Sequence, residues 1–421
     1  MASTVQPNLL FADEKGQIYD DPGLLMLCRR GDELALPRPQ DLTPLPPGSD
    51  VFLLPGRHAV GMDPDSGEAI ALPENAVSAF VCPGYTITGI TAYNTQDGAP
   101  RLPLMAYGAV GYANGQFWVC AKKVDEDKRQ VFSNVPQERI DQGAHAWLRK
   151  FPDNRLVAHL AKCALTYCCP AAKNLALGRF EAPLPTSQVC NARCVGCISH
   201  QPEDSGFKAP QNRISFRPKP QEVAEIMAEH SRRENRRPVY SFGQGCEGEP
   251  LTEAKLIEKA VSLFRESGGK GTVNVNTNAS LPEAIAPLAA SGVSSIRVSM
   301  NSANPDLYAA YYRPNGYDGL TAVKNSIREA KAAGLFVSLN YLFFPGVSDN
   351  EDELDKLQAF VGDLKVDFIQ LRNLNLDPEL YLDLSAPHIS GPSTGFANFK
   401  KRLKKQNPWL EFGYFNPYLE K

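Results

Sequence analysis

The sequence predicts an α/β protein whose second half is a parallel sheet of six strand–helix units, preceded by a β-rich N-terminal domain. Three observations predict it. After Leu184, β-prone apolar runs alternate with amphipathic helical patterns. Residues 15–127 hold short strand runs separated by turn residues. Between them lies a helical stretch that carries several cysteines.

The elements follow in order. Val51-Phe52-Leu53-Leu54 precedes a proline–glycine turn, and Asp63-Pro64-Asp65-Ser66-Gly67 is a turn between strands. Asn114-Gly115 sits between two strand runs, a hairpin signal. Helical patterns occupy residues 144–165. Strand runs then begin near Leu184, Val239, Thr272, Ser295, Phe336 and Phe368. In the first long helix, Val223, Ile226, Met227 and His230 recur at helical spacing. Ser280 with Glu283 fits a capping box, and Asn304-Pro305 and Asn350 with Glu353 fit helix starts. The divisions are 1–150, the β-rich domain and candidate recognition module; 151–183, a cysteine-containing linker; 184–375, the β/α repeats; and 376–421, a C-terminal extension.

The chain has 421 residues, 43% hydrophobic and 22% charged, as expected for two or three soluble globular domains. A formal charge of −3 gives no broad attraction to nucleic acid or anionic membrane, so a nucleic-acid partner is disfavoured. The basic runs around Arg232 and Lys400 read as solvated helix faces. No stretch reaches the ~18 apolar residues of a membrane span. The first seven residues show no secretory signal. Ten cysteines without such a signal point to metal or catalytic use in a reducing, cytoplasmic setting.

The most specific pattern is Cys190-Asn191-Ala192-Arg193-Cys194-Val195-Gly196-Cys197, a C-x3-C-x2-C run. Three thiolates can hold three irons of a [4Fe–4S] cluster and leave the fourth open for chemistry. With His200 the same run also fits a Cys3His zinc site, and three clustered buried cysteines are a third reading. About fifty residues later, Val239-Tyr240-Ser241-Phe242 leads into Gly243-Gln244-Gly245-Cys246-Glu247-Gly248-Glu249-Pro250. Gly243, Gly245 and Gly248 spell a G-x-G-x-x-G dinucleotide fingerprint. However, Glu249 would repel a pyrophosphate, and no acidic residue ends the next strand.

Together the cysteine run and the Gly-Glu-Pro turn resemble the radical S-adenosylmethionine (radical SAM) superfamily. The resemblance implies a partial (β/α)6 TIM-like barrel over roughly residues 184–374. It implies that Cys190, Cys194 and Cys197 hold a [4Fe–4S] cluster and that Gly248 and Glu249 meet the amino group of S-adenosylmethionine (SAM). Two departures stand out. Glu247 occupies a usual glycine position, and Gly196 stands where an aromatic side chain near the adenine is frequent.

Functional residues of a parallel barrel gather at the C-terminal strand ends. That rule, with the resemblance, nominates Asn276, Ser299, Asn301, Asn340 and Arg372 for SAM or substrate. Ser299 and Asn301, two apart, should face the same way, and an inward Arg372 calls for an anionic partner. The implied chemistry is one-electron cleavage of SAM to a 5′-deoxyadenosyl radical that abstracts a substrate hydrogen, with flavodoxin or ferredoxin as donor. Cys163, Cys168 and Cys169, with Cys120 and Cys246 to complete the set, offer ligands for an auxiliary iron–sulfur cluster. A separate N-terminal domain favours a peptide or protein substrate over a small metabolite or base. A non-catalytic iron–sulfur or zinc protein is the rival from another class.

Overall fold

The computed structural model describes residues 5–234 and 236–419. Residues 1–4, which open the segment read for a leader, and Asn235, within the basic run, lie outside the described residues. Among the described residues the chain forms a twelve-stranded sheet in its first third and a seven-stranded sheet after it.

The N-terminal sheet is antiparallel, built around the long pair Asp50–Met62 and Ala69–Phe80. The Asn-Gly hairpin joins Gly108–Ala113 to Gln116–Lys123, with Ala113 opposite Gln116. Asn114 and Gly115 both have positive φ, 52° and 77°. That is the two-residue turn whose twist matches the flanking strands.

Three helices follow: α1 (Gln137–Lys150), α2 (Arg155–Leu165) and α3 (Pro170–Leu177). The stretch read as a linker is thus a packed helical layer. Asn154 caps α2 by accepting from the Val157 amide at 3.0 Å, and Pro170 opens α3 where a missing N–H costs nothing. Trp147 of α1 is buried and donates to the Leu175 carbonyl of α3 at 2.9 Å.

The second sheet is parallel throughout, in chain order: β1 (Glu181–Pro183), β2 (Val239–Phe242), β3 (Thr272–Thr277), β4 (Ser295–Met300), β5 (Phe336–Phe343), β6 (Phe368–Asn373) and β7 (Glu411–Gly413). Five of the six expected strand starts coincide with the observed ones. The first strand begins at Glu181 because its register pairs Glu181 with Val239. Leu184, the expected start, extends that ladder by donating to the Ser241 carbonyl at 2.9 Å. The seventh strand comes from the C-terminal extension, and three residues are too short to show periodicity. Connecting helices include α4 (Pro220–Arg233), α5 (Ala254–Glu266), α6 (Ile285–Ser291), α7 (Pro305–Tyr312), α8 (Gly319–Ala332) and α9 (Glu351–Leu364). The apolar stripe Val223, Ile226, Met227 and His230 is buried as its spacing requires.

Asn304 and Asn350 cap α7 and α9, accepting from Asp306 and Asp352 amides at 3.0 Å. The expected box at Ser280 and Glu283 is absent: a 3-10 turn precedes α6. Ser280 instead accepts from Asn191, in the cysteine loop, at 2.8 Å.

The N-terminal sheet packs onto the β6 end of the barrel through one continuous apolar core. Polar contacts fix the docking. Thr86 donates to the Leu371 carbonyl at 2.9 Å, and Asn373 accepts from the Ile87 amide at 2.8 Å. Arg57 pairs with Asp377 at 3.5 Å, both buried. Gly31 donates its amide to the Pro345 carbonyl at 3.0 Å, beneath Gly346. No described helix is long and apolar enough to cross a membrane.

Candidate cofactor and active site

The C-terminal strand ends open into a cavity of about 440 Å³. Cys190, Cys194 and Cys197 line one end. The loop that carries them leaves β1 and is held by two neighbours. From α7, the Tyr311 carbonyl accepts from Val195 at 2.9 Å and the Tyr312 carbonyl from Arg193 at 3.0 Å. From the glycine-rich loop after β2, the Gly248 amide donates to Ser187 and the Glu249 amide to Val189, both at 2.8 Å.

Gly248 is a glycine for a steric reason: a Cβ there would lie 1.8 Å from the Val189 carbonyl oxygen. The two loops therefore touch backbone to backbone, which leaves no place for a pyrophosphate. Glu247, the first departure from the usual pattern, is a clamp. Its buried carboxylate accepts from the amides of Thr186 (2.7 Å), Ser187 (3.0 Å) and Gln244 (2.7 Å), joining the base of the cysteine loop to the glycine turn. Burial pushes its carboxyl above the ordinary range, and the amides oppose that.

Glu249 faces the cavity, buried, and accepts from the Asn278 amide (2.8 Å), the Leu251 amide (3.0 Å) and the Thr277 hydroxyl. Burial pushes its carboxyl up to about 7. Deep in the barrel, Arg297 and Ser299 of β4 alternate inward with Asn340 of β5 and Arg372 of β6. Arg297 donates to Gln370 at 3.1 Å, and Arg372 lies over the Tyr414 ring at 3.9 Å. Both Nε atoms are buried without a hydrogen-bond partner. Burial, then the neighbouring Arg372 charge, lowers Arg297 to about 9. Phe80, Val81 and Pro83 of the N-terminal sheet close one wall.

Residues 184–357 match the sequence profile of the radical SAM superfamily. This part of the chain belongs to the radical SAM superfamily. Among curated proteins, the chain is similar to a probable GTP 3′,8-cyclase of Thermococcus kodakarensis, 31% identical over 179 residues, 41% of this chain and 52% of that protein. It is 32% identical over 120 residues to the GTP 3′,8-cyclase of Rhodopseudomonas palustris, 28% of this chain and 33% of that protein. The chain thus spans between a third and about half of the length of these relatives. Among solved structures, a radical SAM methyltransferase from Sphaerobacter thermophilus aligns with TM-score 0.39 and 16% identity over 56% of this chain and 67% of that one. Streptococcus suis SuiB aligns with TM-score 0.39 and 11% identity over 75% and 70%.

The cofactors typical of the radical SAM superfamily are a [4Fe–4S] cluster and SAM, and the residues present fit them. Three thiols converge on one cavity beside a buried carboxylate. Burial pushes the Cys190 thiol up to about 11, and burial with its two cysteine neighbours pushes Cys194 well above its ordinary value. Such thiols ionise only when a cationic partner compensates, which iron supplies. Arg213 points at Cys197 from 3.7 Å. The alternative Cys3His zinc reading gains nothing from His200, which is exposed and outside the cavity lining.

The other nominated residues divide. Asn276, Ser299, Asn340 and Arg372 line the cavity together with Gly248 and Glu249. Asn276 is held by the Gly243 carbonyl and by Asn274, at 3.0 and 2.6 Å. Asn301 is not brought there. β4 ends at Met300, so the alternation that sets Arg297 and Ser299 inward stops one residue short. Asn301 turns under the Tyr381 hydroxyl and the Leu307 carbonyl, at 3.3 and 3.4 Å. Arg297, two before Ser299, is the inward neighbour that the same alternation offered. At Gly196 a Cβ would lie 2.5 Å from the Tyr311 hydroxyl, so that tyrosine fills the space left by the missing aromatic. It reaches the site from α7, more than a hundred residues away, a placement no local pattern carries.

The nominated auxiliary set is assembled only in part: Cys163 and Cys246 share one cluster with Cys169 packed against it, and Cys120 and Cys168 lie apart. Cys120 lies in the N-terminal sheet, packed in one buried cluster with Cys28. Cys168 is exposed. Cys163 meets Cys246 and His159.

Proposed function

We propose that this protein is a radical SAM enzyme whose substrate is a small molecule bearing a carboxylate or phosphate held by Arg297 and Arg372. The observation that carries the substrate class is a pair of guanidiniums, each with a buried and unpartnered Nε atom, in the cavity that also holds the three thiols and Glu249. Two like charges lining one cavity repel each other, and an anion between them removes that cost.

In this reading Cys190, Cys194 and Cys197 hold the cluster, and Glu249 receives the SAM ammonium. Cluster and SAM together supply, when bound and reduced, an adenosyl radical that removes a hydrogen atom from the substrate. The chain's own part is placement. Thr277 and the Asn278 amide fix the Glu249 carboxylate, and Glu247 fixes the loop that presents it. The guanidiniums set the anionic end of the substrate deep in the barrel, and Phe80, Val81 and Pro83 shield the reacting end from water. A one-electron reductant of the flavodoxin or ferredoxin type completes the reading.

The size of the N-terminal domain favours a peptide or protein. Read as a wall of the cavity, the same domain favours a substrate that fits between it and the barrel. The GTP 3′,8-cyclases that the chain resembles take a nucleotide, itself an anionic small molecule, which agrees with this class.

The test is SAM cleavage under a chemical reductant with a panel of small carboxylates and phosphates. Compounds of the right class accelerate 5′-deoxyadenosine release by wild type. Arg297→Met and Arg372→Met keep the unstimulated rate and lose the acceleration. Variants that respond as wild type does would refute the anion assignment.

A further inference from the structure

Outside the radical SAM cavity, His159, Cys163 and Cys246 form a group of three whose ligand atoms all lie within 4.8 Å of one another. His159 and Cys163 are four apart on α2 and so share a face. Cys246 reaches them from the glycine-rich loop after β2. The His159 Nε2 atom is 3.4 Å from the Cys246 Sγ and 3.5 Å from the Cys163 Sγ. Both cysteines are buried, in a small apolar cluster of their own that includes Ile140, Ala164 and Ala172.

We propose that His159, Cys163 and Cys246 bind a single zinc ion, with Cys169, packed on the same cluster but outside that trio, closing in as the fourth ligand. The spacing carries the assignment. Sulfur at about 2.3 Å and nitrogen at about 2.0–2.1 Å from one tetrahedral zinc stand about 3.6 Å apart, close to both measured separations. The corner ligands of an iron–sulfur cluster sit on separate irons and stand farther apart, which this trio does not allow without rearrangement. The ligand types agree as well: two buried thiols with a half-buried imidazole suit structural zinc. Cys169 packs on the same cluster, and its amide donates to the Cys163 carbonyl at 3.0 Å. Its neighbour Cys168 has φ 51° and faces solvent, so the adjacent pair divides into one inward and one outward thiol.

The position gives the ion a role. Cys246 precedes Glu247, Gly248 and Glu249, and its carbonyl accepts from the Ile214 amide at 2.7 Å. A metal there ties the α2–α3 layer to the loop that presents Glu249, without touching SAM or substrate.

The experiment measures zinc and iron per chain by mass spectrometry on the full-length protein, purified anaerobically without added zinc. Wild type should carry one zinc in addition to its iron. Cys246→Ser, Cys163→Ser and His159→Gln should each lose it while iron is retained, and Cys168→Ser should keep it. Cys169→Ser should release zinc to a chromophoric chelator at least tenfold faster than wild type. Should the serine variants fail to fold, cobalt loading of the intact protein should give thiolate-to-cobalt charge-transfer bands of a tetrahedral site. Zinc-free wild type without those bands would overturn the proposal. So would a second cluster's worth of iron lost with Cys163 and Cys246, or a Cys163–Cys246 disulfide. Loss of iron from Cys190, Cys194 and Cys197 variants is a separate readout, so the two sites fail independently.

Discussion

Glu249 is where a single carboxylate connects fold to chemistry. Its carboxyl, ordinarily near 4.5, is pushed up to about 7 by burial. The sign follows. A proton on this group stabilises the ligand-free fold fully below about 4.5, and that contribution is lost as pH rises through about 7. The SAM ammonium needs the ionised form, so SAM affinity should rise with pH through about 7. Equilibrium binding of SAM to the cluster-loaded protein between pH 6 and 8.5 checks this. Glu249→Gln should bind SAM roughly tenfold to a hundredfold more weakly, by loss of a charge-assisted contact, and with a flat pH profile. Glu247 makes a different prediction because its partners are amides of the chain itself. Glu247→Ala leaves the buried amides of Thr186 and Ser187, and the part-buried amide of Gln244, without their acceptor. Each such group costs about 1–3 kcal/mol. Denaturant unfolding should show a loss of about 3 kcal/mol or more, with faster loss of iron. A variant as stable as wild type would remove Glu247 from its clamping role.

Among the elements, glycines mark where backbones meet. A Cβ at Gly346, whose φ is 88°, would lie 1.8 Å from the Gly31 amide nitrogen. Gly346→Ala should therefore loosen the N-terminal sheet from the β5–α9 loop, visible as faster amide exchange around Gly31 with the barrel strands unchanged. The barrel strands were readable from sequence because each is a buried apolar run bounded by helix signals. The cysteine run and Glu249, expected at neighbouring strand ends, line the same cavity. Other features were not readable, for physical reasons. β7 is too short for a period. Asn301 lies one residue past its strand end, where alternation no longer governs. Ser280 is an acceptable cap residue that finds a partner in the cysteine loop instead. Glu247 reads as a defect in a glycine motif until its three amide donors are seen. The meeting of Cys163 with Cys246 depends on a helix docking against a loop some eighty residues later, which spacing along the chain does not encode.

At the scale of the whole molecule, the N-terminal sheet and the barrel share one core and a buried ion pair, so the sheet is part of the site's architecture. Asp377→Ala strands the Arg57 guanidinium and removes the acceptor of the Leu102 amide, 2.8 Å away. Breaking a buried pair costs about 3–5 kcal/mol. Thermal unfolding should shift down accordingly, and substrate-stimulated SAM cleavage should fall more than the unstimulated rate. The central claim is that Cys190, Cys194 and Cys197 hold a cluster whose open iron meets SAM beside Glu249. Electron paramagnetic resonance of the reduced protein, with and without SAM, tests it most directly. Wild type should show a reduced [4Fe–4S] signal that changes on adding SAM, and Cys194→Ala should show none. A wild-type signal indifferent to SAM, or a full signal in Cys194→Ala, would contradict the account.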